Sequence, residues 1–135
     1  MTDTPLPGPD MRDLMAAVGE VLLCWGYVEA AIRKRLSVIS PADMKASKTP
    51  VLLRWRKVEP PTPELAELLK EIDRLAIVRN CLAHGLASAS ANPWEPEEPE
   101  VACRLGEMDK TVTLSELRET ARSLHRVSHA IRSPI

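Results

Sequence analysis

The sequence predicts an all-α domain, a four-helix bundle that can carry a short β-hairpin before its last helix, and three observations lead there. Apolar residues make up 44% of the 135 positions, enough for one domain with a single continuous core. Aromatic residues account for only 3%, with no Phe, so that core has to be built from Leu, Val, Ile and Ala rather than from the rings that favour β-sandwiches. Apolar positions also recur at three- and four-residue steps in four separate segments, the period of a helix face.

Residues 1–9 hold three prolines and a glycine and are expected to be a loose tail, leaving 10–135 as a single helical domain. Asp10 can cap the first helix, with Asp13 favouring its positive end. Leu14, Val18, Val21, Trp25, Val28, Ile32 and Leu36 then form one stripe, ending near Ser40-Pro41. Thr49-Pro50 offers a cap followed by proline at the first helical position, and Val51, Trp55 and Val58 mark a short second helix. Glu59-Pro60-Pro61 stops it, and Thr62-Pro63 starts a third through Leu65, Leu68, Leu69, Ile72, Leu75 and Ala76, closed by Gly85.

Residues 86–100, small at first and then acidic and proline-rich, are expected to be a loop. Val101–Leu105 and Lys110–Val112 can pair around Gly106–Asp109. Thr113 and Glu116 form a capping box for the last helix, with Leu117, Ala121, Leu124, Ser128 and Ile131 inward.

A net charge of −1 gives no global field for nucleic acid or membrane, so any RNA contact has to be local. The scarcity of aromatics argues against a base-stacking platform. Cys24, Cys81 and Cys103 have no paired spacing and read as buried, reduced thiols. No secretory signal is seen, and no apolar run is read as long enough to span a bilayer, so the expected location is the cytoplasm, without a membrane partner. Neither metal nor cofactor is expected.

Two charged residues break the apolar pattern. Arg79 falls on the line of Ile72, Ala76 and Ala83 in helix three, and Glu29 lies within a stripe of Leu22, Trp25, Val28 and Ile32 in helix one. An unpaired charge there is costly, which predicts a direct Glu29–Arg79 ion pair. Such a pair can also serve only to set helix register. Asn80 and His84 share a face turned about 100–140° from Arg79, at the edge of the stripe. His84 closes this helix just before Gly85, and an imidazole is the side chain best suited to proton transfer. On the last helix Arg118, Arg122, His125, His129 and Arg132 form a basic stripe, either a solvated face or a track for RNA phosphates.

Arg79-Asn80-x-x-x-His84, on a helix followed by glycine, resembles the signature of the HEPN family: arginine, a polar residue, three or more variable positions, histidine. Trp25-x-x-x-Glu29 on a long first helix and a final helix after an insertion extend the resemblance over most of residues 11–132. It implies a metal-independent endoribonuclease that works as a homodimer, plausibly a toxin or defence effector, with the motif helices of two subunits forming one cleft. Arg79 would then stabilise charge on the phosphoryl oxygens. His84 would act as general acid or base on the ribose 2′-hydroxyl, giving a 2′,3′-cyclic phosphate and a 5′-hydroxyl. Asn80 would orient the phosphate or the histidine, and Glu29 would hold Arg79. An antitoxin or other regulatory protein is a further expected partner. The family also contains members without catalysis that serve as dimerising, RNA-binding or protein-binding modules, and this is the alternative reading.

Overall fold

The computed structural model describes residues 6–41 and 50–132. Within them the order is α1 (Met11–Ile39), α2 (Val51–Val58), α3 (Pro63–His84), β1 (Leu86–Ser90), β2 (Glu100–Leu105), β3 (Met108–Thr113) and α4 (Leu114–Arg132). The chain is mostly helical, with a small antiparallel sheet before the last helix.

The helix starts follow their caps. Asp10 accepts from the Asp13 backbone N–H at 3.1 Å, while the Asp10 N–H donates to the Asp13 carboxylate at 2.8 Å. That backbone N–H holds the Asp10 carboxyl below the usual carboxylate range. Thr62 Oγ1 accepts from Leu65 N–H at 3.0 Å, with Pro63 opening α3. The Thr113–Glu116 box opens α4, Thr113 Oγ1 accepting from Glu116 N–H at 3.2 Å. Thr49 lies outside the described residues, and Pro50 sits at the N-cap of α2 rather than inside it. Residues 6–9 are not a free tail, because Gly8 N–H donates to Pro93 C=O at 2.7 Å.

The α1 stripe expected from the sequence is buried from Leu14 to Leu36, and it packs most extensively on α4, whose inward residues Leu117, Ala121, Leu124, Ser128 and Ile131 are buried too. Leu22 is a correction. It is 37% exposed, because the buried arc of α1 runs through Ala17, Val21, Cys24 and Val28 and turns away from it. One apolar run is longer than the sequence reading allowed. By length and composition α1 could cross a bilayer, with a window of mean hydropathy 1.5, a test that the core helix of a soluble protein also passes.

The sheet runs β1-β2-β3 with both pairings antiparallel. The expected hairpin forms, slightly longer than read, and turns at Gly106-Glu107. Gly106 has φ +64° and no other residue type has positive φ among the described residues, as a type II′ turn requires. Val101, Cys103 and Val112 face the core. Residues 86–90, expected to be loop, form β1. Every one of its residues is exposed, so the edge strand Leu-Ala-Ser-Ala-Ser carries no alternation from which a strand could be read. Its register shifts between Leu86 and Ser88.

Gly85 ends α3 for a different reason from a left-handed cap. Its φ is −128°, and a Cβ there would stand 2.6 Å from the Arg104 carbonyl oxygen. The missing side chain lets β2 lie against the end of the motif helix, where Arg104 N–H donates to Gly85 C=O at 2.7 Å.

Candidate functional site

The last two turns of α3 carry Arg79, Asn80 and His84. Cys81 and Leu82 are buried and anchor this end, Cys81 beside Cys103 of β2. Burial pushes the thiols of Cys24 and Cys103 up from their ordinary value, with the carboxylate of Glu20 adding to it for Cys24 and the neighbouring thiol of Cys81 for Cys103. All three cysteines are free and buried, as the sequence suggested.

Arg79 is half-buried, and its guanidinium carbon lies 5.7 Å from the centroid of the Trp25 ring on α1. Its Nη1 donates to Asn80 Oδ1 at 3.0 Å. The expected ion pair with Glu29 is absent. Among the described residues Glu29 forms no ion pair, and it is half-buried at the margin of α1. The aromatic face takes the place of the carboxylate because Trp25 points at α3 from inside the packed arc, whereas Glu29 sits one turn further round toward solvent. A cation over an indole is worth about 0.5–2 kcal/mol, depending on how far it is desolvated. Arg79 also shares the stripe of Ile72 without being buried like it, since nothing in the described chain covers the end of that stripe at Ala83.

Asn80 is half-buried and His84 is exposed, the last residue of α3. Helix geometry turns His84 about 140° from Arg79, so one chain presents the two side chains in different directions. A cation over an indole, an amide steering that cation and an exposed imidazole can stabilise an anion and move a proton, provided that a second surface completes the site.

The five residues of the α4 stripe are all exposed on one face. They do not form an uninterrupted basic track. Arg122 is ion-paired with Glu119 at 3.1 Å, and Arg118 shares a cavity with Glu95, Glu97 and Glu98 of the acidic loop. That loop is tied to the start of α4, with Glu98 accepting from Ser115 N–H and Pro99 C=O from Leu114 N–H. The rings of His125 and His129 meet edge to face, with centroids 4.9 Å apart. Among the described residues no group of three or more His, Cys, Asp or Glu is arranged to hold a metal ion.

A buried ion pair does exist elsewhere. Arg35 of α1 reaches Glu59, the C-cap of α2, at 2.9 Å, and the Glu59 side chain is only 4% exposed. The signal was available in the sequence: Arg35 stands seven residues after Val28, in the buried row. Among the described residues, Glu59 Oε2 and Trp55 Nε1 are buried without hydrogen-bond partners. Both residues border a cavity of about 460 Å³ shared with Leu65, Leu68 and Ile131.

Comparison with family models, curated proteins and solved structures returns no match for this chain.

Proposed function

We propose that this chain is a HEPN-like, metal-independent endoribonuclease on a four-helix bundle scaffold, acting in the cytoplasm as a homodimer. A role as toxin or defence effector under an antitoxin or regulator fits such an activity. The observation that carries the reading is the end of α3, where Arg79 is held by Trp25 and Asn80 and an exposed His84 precedes Gly85. In the reaction Arg79 stabilises charge on the phosphoryl oxygens, and His84 exchanges a proton with the ribose 2′-hydroxyl or the leaving oxygen. Asn80 positions the guanidinium through its amide oxygen. Glu29 forms no ion pair with Arg79, so in the reaction it does not hold the guanidinium.

Because His84 and Arg79 diverge on one helix, the reaction needs the α3 edges of two chains facing one groove. The test is cleavage of several unstructured RNAs in EDTA, with the products examined for a 2′,3′-cyclic phosphate. Wild type should cut, and His84→Ala and Arg79→Ala should not. Cleavage that survives His84→Ala at the wild-type rate, or that vanishes with EDTA, ends the mechanism. A second reading, a silent module that dimerises and binds RNA or protein, is favoured by the carboxylates standing against the basic stripe of α4. It becomes the better one if the wild type cuts no RNA while remaining dimeric.

A further inference from the structure

The outer face of α1 is apolar and uncovered, and we propose that it is a seam for a second copy of this chain. Less than half of the helix's most apolar window, 44%, is buried in the domain. Leu23 is 56% exposed and Tyr27 44% exposed, with Met15 and Leu22 beside them. Gly19 and Gly26 lie on the same face, and a Cβ built on either meets nothing within 4 Å. Glycine inside a helix costs about 1 kcal/mol relative to alanine, and the fold of one chain supplies no packing reason for either.

Written as heptads, the face has Ala16, Leu23 and Ala30 at a and Gly19 and Gly26 at d, while the domain core takes the b, c and f rows. One surface thus carries both the knob, Leu23, and the hollow, Gly19 and Gly26, that would receive it. Such a surface complements itself, which is the condition for a two-fold pair. Charge points the same way. Glu29, at g, forms no ion pair among the described residues, and a parallel pairing sets it against Lys34, at e, of the second copy, twice over. Arg33, at the next d position, is exposed and marks where the two helices splay apart. A lipid surface fits less well, because it gains nothing from two glycines spaced one heptad apart beside a leucine. The seam runs along the exposed a and d rows, whereas Trp25, beneath Arg79, belongs to the buried c row, so the proposal does not depend on the ribonuclease reading.

Sedimentation equilibrium on the full chain up to about 100 µM tests this, since a Kd of micromolar order then gives mostly dimer. Leu23→Glu and Gly26→Leu should each weaken association by at least about tenfold, with circular dichroism and monomer melting retained. Glu29→Lys should weaken it, and Glu29→Lys with Lys34→Glu should restore it. A monomeric wild type overturns the proposal. So does a dimer indifferent to both Leu23→Glu and Gly26→Leu, a charge swap that fails to restore pairing, or binding to phosphatidylserine vesicles by a chain that does not dimerise. His84→Ala keeps the seam, so loss of cleavage in that variant with the dimer intact bears on catalysis alone, and loss of the dimer in Leu23→Glu bears on the seam alone.

Discussion

Replacing Gly85 by alanine isolates one contact that holds the motif helix to the sheet. At φ −128° alanine is as comfortable as glycine, so no backbone penalty arises. The added Cβ would lie 2.6 Å from the Arg104 carbonyl oxygen, 3.0 Å from its carbon and 3.2 Å from the Cys81 carbonyl oxygen. These are backbone atoms that cannot rotate aside, and the 2.7 Å bond from Arg104 N–H to Gly85 C=O ties β2 in place. Overpacking of this kind costs about 1–3 kcal/mol. The reduced entropy of the unfolded chain returns about 0.4–1 kcal/mol. The net loss is then about 1–2 kcal/mol, or roughly 3–10 °C in Tm for a domain of this size. Urea denaturation followed by far-UV circular dichroism measures it, at chain concentrations low enough to keep the protein monomeric. Gly26→Ala is the control, because its Cβ meets nothing within 4 Å and should stabilise the monomer by about 0.5–1 kcal/mol. Gly85→Ala as stable as Gly26→Ala would refute the reasoning.

Arg35→Ala should destabilise by about 3 kcal/mol, the lower end for breaking a buried pair because Arg35 is itself 28% exposed, and Arg35→Ala with Glu59→Leu should recover much of the loss; chemical denaturation of the double-mutant cycle shows whether the two couple. Arg79→Ala should cost only about 1 kcal/mol, through lost contact with Trp25 and Asn80, and His84→Ala close to nothing, so thermal melts should rank Arg35→Ala well below both. Burial raises the thiols of Cys24 and Cys103, so iodoacetamide should label the native protein more slowly than the urea-unfolded chain at the same pH. Since the native values lie above the unfolded one, these thiols support folding fully below about pH 8.5, and that contribution declines as pH rises toward the native values; a pH series of urea midpoints shows the fall.

The helices and their beginnings were written in local chemistry. Asp10, Thr62 and Thr113 satisfy N–H groups within three residues of themselves, and the stripes of α1 and α4 repeat at the helix period, so neither needed tertiary information. The hairpin was equally legible, from Gly106 between two β-prone runs. Strand β1 was not, because an exposed edge strand of Ala and Ser is defined by the backbone of β2 rather than by its own side chains.

The same division runs through the candidate site. Arg79 stood out as a residue that violates the pattern of α3, with Asn80 and His84 at the edge of its stripe, and all three lie in the last two turns of that helix. Which partner Arg79 takes was decided by rotation of α1 against α3, which brings Trp25 under the guanidinium and leaves Glu29 at the margin. Helical spacing says which residues share a face, and it does not say which neighbour that face meets. The expected pair of Glu29 with Arg79 therefore does not form, and the buried ion pair of this fold, Arg35 with Glu59, arises where the end of α2 closes on α1.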